Sequence, residues 1–573
     1  MKSKQSTFKI LSKLMADSKR YALFLFIVML LAAVAEAFGL SLFLPVLSGL
    51  IDQETKFEKI FEYLDFILGS IPSEYKMLGL LAILVIAFLF KNVLLVLHKG
   101  MSANFAMRLR EQWSTGILSG YLRSPYYKVL DLKHGVMLNN TIIEPFQSSK
   151  AIIALLDLLC KSVVSVVISV MLLLINWKAT LITAALGALI WLFIRNTTYN
   201  YSLRFGKKRL RINQDGSNVA TESLGAIKQI KMLGQESQNV AELMDTLKQY
   251  TSVHTRFAIY NSLPDNLLEL VVIFLISMVM GYFHLFSEGS LKELLPILGF
   301  FIIVGQRLFK YLSYVVTQRM KVTYRLPSLQ MIYDRVTDHE DQEYVTKGEL
   351  FTKLETDILF KGMCFSYDTS TPIFYHFSIR IPQNKMTVIV GPSGSGKSTL
   401  ADLLMRLLTP QSGKIECNGK DIQEFSLESW RRKIGYVSQD TYLFNMTLRE
   451  NILLGKPDAG EEEVVSAART ANIHDFIASL PEGYGTIVGD RGVKLSGGQL
   501  QRVVIARAII SDPEIFIFDE ATSALDTEAE EAIRQSIENL ASKKTTVVIA
   551  HRLSTIEKAD VVYDMNRLAR IHD

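Results

Sequence analysis

The sequence predicts a multidomain membrane protein, in which an all-α domain of six transmembrane helices precedes an α/β domain. Two observations support this fold class: six long apolar runs fall in the first 335 residues, and short β-type runs alternate with helical stretches after them. Hydrophobic residues make up 49% of the 573 residues and charged residues only 21%, and the mean hydropathy is +0.22. Because disordered chains have few apolar residues and a high net charge, this composition argues against extensive disorder.

The apolar runs define the first domain. A helix needs about 20 apolar residues to cross a bilayer, and six runs approach or exceed this length. We therefore assign residues 1–335 to a transmembrane domain and 336–573 to a second domain, with spans near residues 21–51, 77–98, 151–176, 179–196, 264–286 and 294–317. The first run also has the pattern of a signal peptide that would be cleaved after Ala35. Because apolar character resumes after Glu36 and continues to Ile51, an uncleaved span is the preferred interpretation.

Loop charges predict the orientation of the spans. Residues 1–20 contain six basic residues and one acidic residue, whereas the loop after the first span is acidic. The connections 99–150 and 197–263 are basic again and helical in pattern. Cytoplasmic loops carry the excess of Lys and Arg. The N-terminus, both connections and the second domain are therefore expected in the cytoplasm, with the connections forming long helical extensions of the membrane helices.

Charge and cysteine content disfavour several other classes. The formal net charge of +5 is small for this length, so no nucleic-acid partner is expected. The three cysteines, Cys160, Cys364 and Cys417, lie far apart in the sequence. Neither a zinc cluster nor a disulfide framework is therefore predicted.

A phosphate-binding loop is the first chemical motif of the second domain. The β-type run Met386–Val390 leads into a glycine-rich segment and then a helical run, which is the context of a P-loop. Its glycines let backbone N–H groups converge on phosphate oxygens at a helix N-terminus. Lys397 is expected to reach the β- and γ-phosphates of ATP, and Ser398 to ligate Mg²⁺. The predicted ATP-binding residues are Gly391, Pro392, Ser393, Gly394, Ser395, Gly396, Lys397, Ser398 and Thr399.

Two carboxylates end a second buried strand. The apolar run Ile515–Phe518 leads directly into Asp519 and Glu520. We expect this strand beside the P-loop strand, where Asp519 would hold Mg²⁺ through a water molecule. Glu520 would orient or deprotonate the water that attacks the γ-phosphate. A solvated strand end is the alternative, but four apolar residues followed by two carboxylates favour a nearby cation.

The segment between these strands carries a family resemblance. Leu495-Ser496-Gly497-Gly498-Gln499 resembles the signature of ATP-binding-cassette (ABC) ATPases, and further motifs of that family occur in the expected order. The resemblance implies an α/β P-loop ABC ATPase domain and covers the whole chain, because six spans followed by one such domain is the layout of ABC exporter half-transporters. It assigns adenine stacking to Tyr367, the Q-loop to Gln439, the D-loop to Asp526 and the switch histidine to His551. It also assigns Ser496, Gly497, Gly498 and Gln499 to the γ-phosphate held by a second subunit.

The resemblance implies a Mg²⁺-dependent ATPase with ATP and Mg²⁺ as cofactors. Its catalytic residues would be Glu520, His551 and Gln439, and its Mg²⁺ ligands Ser398, Gln439 and Asp519. One copy of each motif is present and none is degenerate, so a homodimer is the simplest expectation. Segments near residues 124–128 and 224–228 resemble the coupling helices that pass ATPase closure to the membrane helices. Ordinary helix–turn segments without special contacts are the alternative.

Charged residues inside the spans bear on the substrate. Because charge is costly in lipid, they are expected to face the bundle interior; they are Glu36, Lys91, Asp157, Lys161, Glu269 and Arg307. Either they pair with one another in a structural role, or Lys91 and Arg307 line a pathway for an anionic group. The run from Glu36 to Pro45 resembles the first helix of lipid-linked oligosaccharide flippases. That group also has a basic residue in its second helix and an Arg in its sixth, and Glu269 in the fifth matches it too.

This second resemblance implies a flippase of the bacterial inner membrane. Its substrate would be a lipid-linked oligosaccharide or a similar anionic, amphipathic glycolipid that enters from the membrane lipid. The residues expected to line its pathway are Lys91, Arg307, Glu36 and Glu269. A multidrug or hydrophobic-compound exporter is the first alternative, and an ATP-gated channel or regulator is the second. No cluster of Cys, His or Met in the spans favours a soft metal.

Overall fold

The structure is a computed structural model that describes residues 19–43, 46, 75–175, 177–286, 291–340, 348–367, 372–519, 527–550 and 557–569. The chain divides into two compact units. The first contains residues 1–124 and 131–342, and the second contains residues 125–130 and 343–573.

Long helices build the first unit. In chain order the helices of residues 19–340 are α1 (Lys19–Ser41), α2 (Lys76–Arg123), α3 (Tyr126–Leu130), α4 (His134–Leu138), α5 (Glu144–Ile175), α6 (Trp177–Gly225), α7 (Ile227–Leu233), α8 (Glu236–Phe286) and α9 (Leu291–Glu340). Of these, α3 belongs to the second unit. A π-helical turn, Asn139–Ile143, joins α4 to α5. Within the described residues, six of these helices have 23 to 51 residues, and each overlaps one predicted span. The helical fold class of this domain is confirmed.

Among the described residues, three segments are long and apolar enough to cross a membrane: Arg20–Ser41, Met77–Arg123 and His134–Leu173. The other three predicted spans fall wholly or partly on residues whose side chains lie outside the described set. Most of the first span after residue 43, and the acidic loop that follows it, also lie outside that set. Helices α2, α6, α8 and α9 continue well beyond their predicted spans. The long connections are therefore helical extensions, as expected.

Local sequence explains where two of these extensions turn. Helix α2 ends before Ser124, which has extended backbone angles of φ −66° and ψ 147°, because the residue before a proline avoids the helical region. Helix α7 ends at Gly234, whose φ of +64° is left-handed and suits glycine. Inside the unit, α5 packs most extensively against α9. Phe105, Trp113 and Ile332 lie in the hydrophobic core that these helices form with α2.

The second unit is built on two sheets. Its strands are β1 (Ile358–Phe365), β2 (Phe374–Ile381), β3 (Met386–Val390), β4 (Ser412–Cys417), β5 (Lys420–Asp421), β6 (Ile434–Val437), β7 (Ile515–Asp519), β8 (Thr545–Ile549) and β9 (Val561–Asp564). A four-stranded sheet has the order β2-β1-β4-β5, with antiparallel pairing. A five-stranded parallel sheet has the order β6-β7-β8-β3-β9. The α/β fold class is confirmed.

Helices cover the parallel sheet, so its central strands are apolar on both faces, as such sheets require. The helices are α10 (Lys397–Leu404), α11 (Leu427–Arg432), α12 (Leu448–Leu453), α13 (Glu461–Thr470), α14 (His474–Ser479), α15 (Gly497–Ile510), α16 (Thr527–Ala541) and α17 (Met565–Ala569). All five residues of β7 and of β8 are buried. Because the five strands are parallel, their carboxyl ends share one edge of the sheet. The phosphate-binding motifs lie at this edge.

Candidate functional site

The P-loop joins β3 to α10. Gly394 and Gly396 have φ of +83° and +91°, a left-handed conformation that favours glycine. A Cβ on Gly396 would lie 2.7 Å from Cγ2 of Ile373, so a larger residue does not fit. Lys397 is the first residue of α10, and its Nζ donates hydrogen bonds to the carbonyl oxygens of Gly391 (2.9 Å) and Pro392 (3.0 Å). The lysine ammonium is thus held directly over the loop.

Further polar groups of the loop suit phosphate. The hydroxyl of Ser395 is buried and has no hydrogen-bond partner among the described residues. Backbone N–H groups at the N-terminus of α10 add a partial positive charge. This combination of a curled loop, an ammonium and a buried hydroxyl without a partner among the described residues fits the phosphates of a nucleotide.

Asp519 ends β7 at the same edge of the sheet. It is buried, as a carboxylate close to a bound cation would be. The expectation that its strand lies beside the P-loop strand is wrong, because β8 lies between β7 and β3. The carboxylate still approaches the P-loop helix: burial of Asp402 in α10 and, as a second cause, the negative charge of Asp519 raise the pKa of Asp402 to about 6. Parallel strands bring their carboxyl ends to one edge even when another strand separates them.

Gln439 follows β6, the edge strand next to β7. The pKa of Tyr436, three residues earlier, indicates which charged groups lie near this strand end. Its pKa is raised by burial and then by the negative charges of Asp519 and Asp402, with a smaller effect from Tyr126. The Q-loop strand, the carboxylate strand and α3 therefore meet at one place within the second unit.

Tyr367 lies beside the P-loop helix. Its hydroxyl is 3.3 Å from the hydroxyl of Thr399 in the first turn of α10. Its ring packs edge-on against Phe365, with centroids 5.2 Å apart, and more than half of the side chain is exposed. An exposed aromatic face next to a phosphate loop is suited to stacking on a base.

The signature motif caps α15. The Ser496 hydroxyl accepts a hydrogen bond from the N–H of Gln499 (3.3 Å), and the Gln499 side chain accepts one from the N–H of Ser496 (2.9 Å). This capping box gives both residues a local structural role. Ser496 and Gly497 are nonetheless exposed. The N-terminus of α15 is thus accessible to a ligand presented by another surface.

One arginine of the signature helix has contacts that the sequence reasoning missed. Arg507 donates to the backbone oxygen and the side-chain oxygen of Asn451, both at 2.9 Å, and to the backbone oxygen of Tyr442 at 3.0 Å. Burial lowers its pKa to about 10. Arg507 therefore links α15 to the segment that follows Gln439. Only its place within the motif could have indicated this role.

Three predicted residues, Glu520, Asp526 and His551, lie outside the described residues. The chain is described up to Asp519 at the end of β7 and up to Ala550 after β8. Their assigned roles stay predictions.

The membrane helices gather most of the predicted pathway residues. Lys91 of α2 lies 3.8 Å from a carboxylate oxygen of Glu36 in α1, and both side chains are buried. Tyr311 of α9 donates a hydrogen bond to the same oxygen. Arg307 and Lys161 are close enough to interact electrostatically with Lys91. Lys91 and Glu36 are thus paired with each other, as the structural interpretation of these charges expects, whereas Lys161 and Arg307 form no ion pair among the described residues.

Glu269 does not join this cluster. Its side chain is exposed on α8, and no hydrogen bond or ion pair connects it to the cluster within the part of the chain that is described. Tyr311 was missed by the sequence reasoning, although its position one helical turn after Arg307 places both on one face of α9.

Both parts of the chain match known families. The sequence model of the ABC transporter transmembrane region matches residues 19–308, and the model described as ABC transporter matches residues 374–523. The chain therefore belongs to the ABC transporter family. It has the exporter-type half-transporter arrangement, in which one membrane domain is fused to one ATPase domain. Members of this family couple ATP hydrolysis to transport.

Individual relatives agree with this class. The ATP-dependent lipid A-core flippase of Chromohalobacter salexigens is 36% identical over 399 residues, which cover 68% of this chain and 67% of that protein. A Bacillus subtilis protein named for multidrug export is 35% identical over 333 residues, covering 58% of this chain and 56% of that protein. A solved structure of a bacterial Atm1-family ABC exporter with ATP bound is similar with a TM-score of 0.78, at 26% identity and over 97% of this chain and 96% of that one.

The matches to curated relatives are partial. The chain spans between about a third and two thirds of the length of the first relatives it matches. These matches support the family and the exporter architecture. They do not identify the substrate or the oligomeric state of this chain.

Proposed function

We propose that this chain is a homodimeric, Mg²⁺-dependent ATPase that exports or flips an anionic amphipathic lipid, best represented by a lipid-linked oligosaccharide, across the bacterial inner membrane. The observation that supports this substrate class is the cation cluster of the membrane helices. Lys91, Lys161 and Arg307 gather around one buried carboxylate, Glu36.

The charge balance of the cluster favours an anionic substrate. Uncompensated charge inside a membrane protein is costly and marks ion or substrate pathways. Glu36 neutralises one cation, and the charge that remains is positive. A phosphate or diphosphate headgroup would offset it, because charge-assisted hydrogen bonds from Lys and Arg to phosphate are among the stronger polar contacts. The lipid-linked oligosaccharide combines such a headgroup with an apolar chain that can remain in the bilayer.

A multidrug exporter is the second candidate, supported by the similarity to the Bacillus subtilis protein. A drug pocket would be mainly apolar and aromatic, whereas this cluster consists of ionisable side chains. An ATP-gated channel or regulator is a third candidate. Membership of a transporter family favours a transporter over this candidate.

At the nucleotide site, the chain's residues fit ATP and Mg²⁺. The curled loop, Lys397 and Ser395 suit the phosphates, while Ser398, Gln439 and Asp519 are oxygen donors of the kind that Mg²⁺ prefers. When bound, Mg²⁺ would neutralise negative charge on the phosphates. We assign Glu520 to activation of the attacking water, His551 to the γ-phosphate, Asp526 to the D-loop and Tyr367 to adenine.

The exposed N-terminus of α15 supports a homodimer. Ser496 and the two glycines after it offer an anion site, and one chain contains one P-loop and one such site. Pairing each P-loop with the partner subunit's signature motif would complete two equivalent sites.

The test uses the full chain in proteoliposomes. Flipping and ATPase stimulation are measured with a lipid-linked oligosaccharide and, separately, with hydrophobic drugs. ATP-dependent movement of the glycolipid supports the proposal. Stimulation and transport of drugs alone would favour the multidrug exporter, and a passive, ATP-gated flux of ions would favour the channel.

A further inference from the structure

Lys91 is held by its neighbours. Its ammonium lies 3.8 Å from Oε1 of Glu36, with its side chain 6% exposed. Tyr311 donates a hydrogen bond to that same oxygen, and the ring of Phe88 lies 4.8 Å from the Lys91 ammonium. Pulling Lys91 away would leave Glu36 as a buried, uncompensated charge, which is strongly unfavourable. Lys91 is therefore poorly placed to leave its partner for a substrate.

Lys161 and Arg307 differ from Lys91 in burial and in ion pairing. Each is only partly buried, and neither forms an ion pair with any residue within the described ranges. Asp157, one helical turn before Lys161, instead accepts a hydrogen bond from the hydroxyl of Tyr314 at 3.4 Å. The two cations are thus available to a ligand and are not neutralised by a described carboxylate.

Tyr311 connects the two sets of residues. Its hydroxyl is anchored on Glu36, and the Lys161 ammonium lies 4.8 Å from the centroid of its ring. A cation over an aromatic face is attracted by the ring quadrupole. The buried pair of Glu36 and Lys91 therefore fixes the tyrosine, and the tyrosine orients Lys161. Arg307 stands one helical turn before Tyr311 on the same face of α9.

We infer that Lys161 and Arg307, and not Lys91, contact the anionic headgroup of the transported lipid, while Glu36, Lys91 and Tyr311 are positioning residues behind them. This inference rests on the proposed function. It also narrows the substrate to headgroups with two phosphoryl units, because two separate cations can engage a diphosphate. The guanidinium can bind one phosphoryl group in a bidentate manner and the ammonium the other.

The experiment compares two lipids in proteoliposomes of the full chain: a glycan on a polyprenyl diphosphate and the same glycan on a polyprenyl monophosphate. Lys161→Gln should raise KM for the diphosphate lipid about tenfold with little change in kcat, as expected for one lost charge-assisted contact. Its preference for diphosphate over monophosphate should shrink. Lys161→Arg should restore most of the affinity. Lys310→Gln, at an exposed position on the same helix as Arg307, is the matched control and should behave as the unmodified protein.

Amine labelling provides a readout that does not depend on variants. A water-soluble acylating reagent followed by mass spectrometry should modify Lys161, and the diphosphate lipid should protect it, whereas Lys91 should label slowly in both conditions. The inference is overturned if the unmodified protein transports the diphosphate lipid while Lys161→Gln keeps its KM and its preference, or while Lys161 labels equally with and without lipid. If the unmodified protein transports neither glycolipid, the proposed function itself fails, and this inference fails with it.

Discussion

Arg209 of α6 donates a hydrogen bond to the carboxylate of Glu144 in α5 over 3.2 Å, and both side chains are almost completely buried. Ser328 of α9 donates to the same carboxylate. One carboxylate thus joins three of the long helices, directly after the π-helical turn that precedes α5.

Removing the arginine should destabilise the helical domain. Arg209→Ala would leave Glu144 buried without its counter-charge, at a cost of about 3–5 kcal/mol. The measurement is the unfolding free energy of the purified protein in detergent. Glu222→Gln is the matched control, because Glu222 forms an ion pair with Lys133 in which both side chains are about two-thirds exposed. Such a pair should contribute little, and equal losses in both variants would contradict the assignment.

Glu520→Gln should separate nucleotide binding from hydrolysis. We expect this variant to bind ATP, hydrolyse it very slowly and accumulate as a closed dimer, because the carboxylate that activates water is lost while the pocket is retained. Lys397→Ala should instead weaken binding, since Lys397 places the positive charge over the P-loop. ATP affinity and single-turnover hydrolysis distinguish the two. Near-normal turnover of Glu520→Gln would show that another group activates the water.

Arg507 should stabilise the segment after the Q-loop. Its three hydrogen bonds to Asn451 and Tyr442 are lost in Arg507→Ala, and hydrogen bonds to charged groups contribute about 1.5–3 kcal/mol each before relaxation. We expect a lower unfolding temperature of the ATPase domain and faster hydrogen exchange at residues 442–451. Arg449→Ala removes an exposed ion pair with Glu461 and serves as the control. Unchanged exchange in Arg507→Ala would refute this role.

Asp402 should make stability depend on pH. Burial and the charge of Asp519 raise its pKa to about 6, whereas an unfolded Asp has a pKa of about 3.9. The folded state therefore binds this proton more tightly, and stability falls as pH rises from about 4 to about 6 and stays lower above that. Asp402→Asn should remove this slope and stabilise nucleotide-free protein at pH 8 by about 1 kcal/mol, after a discount for partial exposure. Thermal unfolding between pH 4 and 8 tests this, with exposed Glu462→Gln as a control that should keep the slope.

Much of the fold could be predicted because its signals are local. Apolar runs of membrane length are contiguous in the sequence, and the P-loop follows its strand directly, so the sites of Lys397 and Ser496 were recognisable. The order of parallel strands depends on tertiary structure. No local sequence signal indicates that β8, which follows both β3 and β7 in the chain, lies between them in the sheet.

The membrane cluster shows a second limit. Lys91 and Lys161 are equivalent in the sequence, since both are lysines within an apolar run. Only the packing of α1, α2, α5 and α9 determines that Glu36 pairs with the first and that Tyr311 lies against the second. A pairing between residues that are distant in sequence depends on tertiary structure, so the sequence alone does not distinguish the role of Lys91 from that of Lys161.

Residues 125–130 belong to the compact unit of the ATPase domain, although they lie more than 200 residues before it in the chain. An ATPase fragment that starts near residue 343 would therefore lack residues 125–130 of its own compact unit. A synthetic peptide of residues 124–131 should bind that fragment as a separate molecule and raise its unfolding temperature, by the mass action that links any ligand to the folded state. In the intact chain the same segment is present at a fixed, high effective concentration, so what would be a weak intermolecular complex becomes an intramolecular contact.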